Sequence, residues 1–203
     1  MAVITVSGLY ASGRKEFGKK LSMKLNYDYV DREIIRELAR CANISEEFAE
    51  SYEDGRFRGL MQILSDTISK GFIKRLVGDS SGYIDSKIYF KLLEEIVLSF
   101  AKRDNIVIAG RGSHCVLQGY EGAYFIKILA DWEDRIEYAN KSLGLQVDDI
   151  EGYIREQDEK DRKFMKYFYD VDWLDPSLFS LMINLSELSM EEGIQQVVDL
   201  ISE

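Results

Sequence analysis

Residues 7–15 read S-G-L-Y-A-S-G-R-K and follow directly on the apolar run Ala2-Val3-Ile4-Thr5-Val6. Two glycines five apart have the spacing of a phosphate-cradling loop, G-x-x-x-x-G-K-S/T, which stands after a strand and before a helix. Gly8 and Gly13 occupy the glycine positions, but Arg14 and Lys15 follow where that pattern has a lysine and a hydroxyl. In a chain with 15 glycines such a pair arises about once by chance, so the spacing needs its context. Beyond the loop, Phe17, Leu21 and Leu25 recur at i, i+4 and i+8 and predict a helix over 14–25. The loop therefore lies at a strand-to-helix turn, where unpaired backbone N–H groups and the positive end of the helix dipole favour an anion. Arg14 and Lys15 at that helix start are mildly unfavourable unless an anion offsets them. Two readings stay open from spacing alone: a phosphate seat, or a tight turn with a basic helix start.

Working outward, Tyr27-Asp28-Tyr29-Val30 reads as a second strand, and Asp31 opens a helix with Ile34, Ile35 and Leu38 on one side. Strand, helix and strand at this spacing form a βαβ unit and imply a parallel sheet with both faces covered. Residues 44–82 read as helices jointed at Gly55, Gly59, Gly71, Gly78 and Gly82, an insertion on the domain. Ile88, Leu92, Leu93, Ile96, Val97 and Phe100 trace an amphipathic stripe. The run Ile106-Val107-Ile108-Ala109 has the unbroken apolar character of a central parallel strand. A strand over 123–130 leads into a helix that Asp131 is suited to cap, and 147–168 reads as helical. Residues 179–184 read as a last strand, and Ser189 with Glu192 forms a capping-box pattern before a final helix. One α/β domain over 1–203 with about five parallel strands fits this order.

Bulk properties narrow the function. The chain has 203 residues, enough for one sizeable core, and 46% hydrophobic content suits a folded globular protein. No run approaches the ~20 apolar residues that span a bilayer, and the N-terminus lacks a basic region and cleavage site, so cytoplasmic residence is expected and no membrane partner is. Cys41 and Cys115 are too far apart to form a metal cluster and read as reduced thiols. A single histidine, His114, weighs against zinc chemistry and a histidine-centred triad. The net charge of −10 disfavours nucleic acid as a partner, so any polyphosphate must be met by a local cluster of cations.

Three further constellations offer such cations. Arg111, in G-R-G just past the strand 106–109, stands where ligands bind in open parallel sheets, and its planar fork suits a phosphate or a base edge. The plainer reading is an exposed loop arginine. Asp31-Arg32 ends the second strand; Asp31 either caps the next helix or faces a substrate hydroxyl or cation. Arg155 to Lys163 (R-E-Q-D-E-K-D-R-K) runs nine residues without an apolar side chain. Such a helix either is solvated all round with i,i+4 ion pairs or is a lid whose Arg155 and Arg162, seven apart on one face, close over phosphates.

Together these pieces resemble the cytidylate kinase-like family. The resemblance rests on I-T-V-S-G-L-Y-A-S-G-R-K-E-F-G (4–18), Y-V-D-R-E-I-I (29–35) and I-V-I-A-G-R-G-S (106–113). It continues through F-I-K-I-L-A-D-W-E-D-R-I (125–136), D-E-K-D-R-K-F-M-K-Y-F-Y (158–169), D-W-x-D-P-S (172–177) and I-N-L-S (183–186). It implies a three-layer P-loop kinase fold: a five-stranded parallel sheet in order 2-3-1-4-5, a helical substrate-side insertion over 44–82 and a lid over 147–170. It also implies ATP and Mg2+, the metal held mainly through phosphates and waters. By analogy Gly8, Tyr10, Ala11, Ser12, Gly13, Arg14, Lys15 and Glu16 would surround the ATP phosphates. Asp31, Arg32 and Arg111 would face a small-molecule acceptor such as a nucleoside monophosphate, and Arg155 and Arg162 would act with Arg14 and Lys15 in transfer. Cytidylate kinases carry G-K-G-T and G-R-D where this chain has G-R-K-E and G-R-G. Arg14 thus stands at the loop-lysine position and Gly112 at that of a base-recognising aspartate, and cytidylate specificity is not implied. A catalytically silent nucleotide-binding domain of the same fold is the alternative.

Overall fold

A computed structural model describes residues 2–31, 86–145 and 147–202. Arg32 and the expected insertion over 44–82 lie outside the described residues. Five strands form one sheet: β1 (Val3–Gly8), β2 (Asp28–Val30), β3 (Ile106–Ala109), β4 (Ala123–Leu129) and β5 (Leu181–Asn184). Their order, β2-β3-β1-β4-β5, is the expected 2-3-1-4-5, so β1 lies at the centre. The register is parallel: Val3 pairs with Ile106 and Val6 with Ala109 on one side, and Ser7 pairs with Lys127 and Gly8 with Ile128 on the other. β4 continues to β5 through Ile128 and Ile183. All six residues of β1 and all four of β3 are buried, the burial that a parallel strand covered on both faces requires.

The helices are α1 (Arg14–Leu25), α2 (Ser86–Ala101), α3 (Ser113–Val116), α4 (Trp132–Lys141), α5 (Ile150–Tyr169) and α6 (Met190–Leu200). Strand alternation divides the sheet into two faces. Ile4, Val6, Val107, Ala109, Ile126, Ile128 and Ile183 share one, against Phe17 and Leu21 of α1 and Ile194 and Val197 of α6. This packing sets α1 firmly behind the loop that precedes it. The opposite face carries Thr5 and Ser7 of β1 and Lys127 of β4, all buried polar residues.

The helix ends follow local chemistry, with one difference. Ser189 and Glu192 form the expected capping box on α6. Asp131 stands at the N-cap of α4 but makes no capping bond, because its Oδ1 accepts from the Asn184 side-chain amide at 3.1 Å. Two compact units emerge, Met1–Tyr29 with Asn105–Glu203, and Val30–Asp104. In the second, α2 buries Leu93, Ile96, Val97 and Phe100, the later part of the stripe read from sequence.

Candidate functional site at the glycine loop

The β1–α1 loop is shaped by its neighbours. A Cβ on Gly8 would lie 2.5 Å from the Ile128 carbonyl oxygen, so only glycine fits beside β4 there. Ala11 and Gly13 both take left-handed backbone (φ 60° and 78°), and Gly13 is the N-cap of α1 with no side-chain capping bond. The Ser12 hydroxyl donates to the Leu9 carbonyl at 2.8 Å and tightens the turn. Among the described residues, the backbone N–H groups of Ala11, Gly13 and Arg14 make no hydrogen bond. Three unpartnered donors at the N-terminus of a helix make a seat for an anion.

Part of this seat is already engaged by α5. The Tyr10 N–H donates to Asp158 Oδ1 at 2.8 Å. Asp158 Oδ2 in turn accepts from Arg135 of α4, a buried arginine whose Nε donates to the Tyr10 carbonyl at 2.8 Å. Asp158 and Arg135 thereby hold both backbone groups of one loop residue. Arg14 does not extend outward: its guanidinium donates back to the Gly8 carbonyl and to Asp161 Oδ2, the latter at 3.2 Å. Glu16 pairs with Lys20 at 3.1 Å and accepts from the Tyr138 hydroxyl.

The helix that reaches the loop is the one expected to be a lid. Ile154, Asp158, Asp161 and Met165 follow one another at intervals of four, three and four, so they share one face of α5. Ile154 and Met165 are buried, and the aspartates between them are mostly covered. A hydrophobic cluster of Ala11, Ala139 and Ile154, joined by Tyr10, Trp132 and Ile150, fastens the first half of α5 to the loop and to α4. Arg155 and Arg162 stand on the exposed side: Arg155 pairs with Glu151 and lies over the Trp132 ring, while Arg162 pairs with Glu159. The Arg162 guanidinium holds the Glu159 carboxyl down at about 2.

Arg111 follows β3 in three successive left-handed residues, Gly110, Arg111 and Gly112 (φ 82°, 58° and 67°). Its guanidinium lies over the Phe164 ring, and its carbonyl accepts from the Tyr169 hydroxyl at 3.3 Å. Asp31 is buried immediately after β2, in the other compact unit.

Four groups near the loop were not singled out from sequence. Asp158 and Asp161 are legible only once the Ile154-to-Met165 spacing is seen to continue through charged residues, and Arg135 of α4 is found only through its contact with Asp158. Lys127 alternates with Ile126 and Ile128 in F-I-K-I-L, which places a lysine inside the sheet. Its Nζ donates to the Trp173 carbonyl at 2.9 Å and faces the Trp173 and Phe179 rings, at 4.4 and 5.2 Å. Burial, helped by the nearby Arg14 charge, pushes Lys127 down to about 8. Burial likewise pushes His114 of α3 down to about 4, so its imidazole is neutral at physiological pH.

The same architecture is found in solved structures. An uncharacterized protein from Eubacterium ventriosum superposes with a TM-score of 0.65 at 13% identity, covering 100% of this chain and 99% of that one. The shikimate kinase from Bacteroides thetaiotaomicron gives 0.54 at 14% identity, covering 100% and 99%. The one from Acinetobacter baumannii, in complex with shikimate, gives 0.51 at 13%, covering 99% and 93%. At these identities the likeness is one of fold. A comparison with curated proteins returns no match. A family model described as the cytidylate kinase-like family matches residues 3–187.

Proposed function

The chain belongs to the cytidylate kinase-like family, and on that premise we propose that it transfers a phosphoryl group from ATP to a small-molecule acceptor, a nucleoside monophosphate or another hydroxyl- or phosphate-bearing compound. The observation that carries this reading is the trio of unpartnered N–H groups on Ala11, Gly13 and Arg14 at the start of α1. In-line transfer needs positioning and charge neutralisation more than a strong base, which suits a loop without histidine. Gly8 and Tyr10 to Glu16 line the phosphates, with Arg14 and Lys15 opposing their charge. Asp31, Arg32 and Arg111 orient the acceptor. Arg155 and Arg162 join from α5 by exchanging their glutamate partners for phosphate oxygens. A magnesium ion would supply charge neutralisation at the phosphates beside that of Arg14 and Lys15. Phosphates and waters supply most of its ligands in this reading, as the family resemblance implies.

A second reading, a catalytically silent nucleotide-binding domain, is favoured by a specific contact. Arg14 is bound to Gly8 and Asp161, and the Tyr10 N–H to Asp158, so the altered loop spends part of its donor capacity on its own chain. Titration of ATP with and without magnesium, followed by a transfer assay over a panel of nucleotides and small hydroxy acids, separates the two. Turnover stimulated by one acceptor establishes the kinase. Magnesium-independent binding with no transfer to any acceptor establishes the silent domain.

A further inference from the structure

The sheet face opposite α1 holds a buried polar cluster that phosphate binding at the loop does not use. Ser7 lies one residue before Gly8 and is the register partner of Lys127. Thr5, two residues earlier on β1, shares their face. The Phe179 ring joins a third element to them: it lies 5.2 Å from Lys127 Nζ and 4.9 Å from the His114 ring. All four polar side chains are at least nine-tenths buried, at 0% exposure for Thr5, 9% for Ser7, 3% for His114 and 1% for Lys127. Among the described residues, Thr5 Oγ1, Ser7 Oγ and both imidazole nitrogens of His114 have no hydrogen-bond partner. The Lys127 ammonium has a single acceptor, the Trp173 carbonyl, and forms no ion pair among the described residues.

Proteins rarely bury polar groups without partners, and a buried cation without a carboxylate is rarer still. Two hydroxyls, an imidazole able to donate from one nitrogen, and an ammonium with two N–H bonds to spare offer donors and positive charge, with no carboxylate among them. We propose that Thr5, Ser7, His114 and Lys127 form a seat for one oxyanion, the phosphate or carboxylate group of a small ligand. The seat is closed by Trp173 and Phe179, which belong to the connection between α5 and β5, and the anion takes the place of the Trp173 carbonyl on Lys127. Charges acting on Lys127 from outside the cluster come from Arg14 of α1, Asp158 and Asp161 of α5, and Asp172 of the same connection. Hydroxyls, ammonium and neutral imidazole together recognise a tetrahedral or planar oxyanion and reject a cation. Assigning that oxyanion to the acceptor rests on the phosphoryl-transfer reading; the existence of the seat does not.

The test uses the full chain labelled with 15N-histidine and 13Cε-lysine, and His114, the one histidine, needs no assignment. Inorganic phosphate and acetate are titrated separately, and ATP in a third arm. A saturable shift of the His114 nitrogen signals, with Lys127 titrating at higher pH in the presence of the anion, supports the seat. A response to phosphate alone marks a phosphate-bearing ligand, and a response to acetate alone a carboxylate-bearing one. Competition by ATP for the same signals assigns the seat to the nucleotide's terminal phosphate. Ser7→Ala removes a hydroxyl with no partner among the described residues, so it should leave thermal stability unchanged while weakening anion binding on the order of tenfold. No response of His114 to either anion, or equal affinity in Ser7→Ala, overturns the proposal. Failure of ATP to bind with the anion response intact removes the phosphoryl-transfer reading and leaves the seat standing.

Discussion

Between Gly110 and Gly112 the backbone passes through three left-handed residues, and the middle one carries the guanidinium that lies over Phe164. A Cβ at Gly112 would stand 2.3 Å from the Tyr169 ring, so the position is closed to any side chain on both steric and backbone grounds. α5 ends on the spot that a side chain there would occupy. Gly112→Ala should therefore lower unfolding free energy by about 2–4 kcal/mol, from left-handed strain and overpacking together, as read by urea denaturation. At the loop, Asp161 competes with any phosphate for Arg14. Asp161→Asn should tighten ATP binding on the order of tenfold in calorimetry, because a charged hydrogen bond no longer has to be exchanged. An unchanged affinity would mean that Arg14 is not a phosphate ligand.

At the scale of elements, α5 is the one whose character the structure alters most. A stretch without apolar residues reads as a solvated or projecting helix, yet α5 continues its buried face through Asp158 and Asp161 because the loop offers the Tyr10 amide, α1 offers Arg14 and α4 offers Arg135. Ile154 is the apolar pin of that arrangement. Ile154→Ala should cost about 2–5 kcal/mol in denaturant unfolding; a helix that swings freely as a lid would lose almost nothing. The capping box of α6 gives a second, smaller check. Ser189→Ala should cost about 1 kcal/mol, seen as a fall of a few degrees in the thermal midpoint.

For the molecule as a whole, His114 couples stability to pH. In the unfolded chain it takes up a proton near its ordinary 6.5, but in the fold only near 4. Between those values the unfolded state binds more protons, so stability falls as pH drops from 6.5 to 4, by roughly 3 kcal/mol. Urea denaturation across this window should show that loss, and His114→Phe should remove most of this histidine-dependent slope. Lys127 works in the other window: neutral above about 8 in the fold and only near 10.5 when unfolded, it makes stability rise with pH over that range.

The strand runs, the α1 periodicity, the capping box and the order of elements were legible in the sequence, because burial in a parallel sheet and helical amphipathicity write directly into residue spacing. So was the glycine turn between β1 and α1, since a strand, a glycine turn and a helix leave backbone donors at one point whatever side chains follow. What the neighbouring elements do at that point was decided only in three dimensions. Whether Arg14 faces outward or folds onto Gly8, and which face of α5 meets the loop, depend on partners more than a hundred residues away. The same holds for Lys127, whose burial beneath Trp173 and Phe179 is settled by a connection brought alongside β4 through packing. Charged side chains carry no periodicity that says whether their partner is water or protein, and tertiary contact supplies that answer.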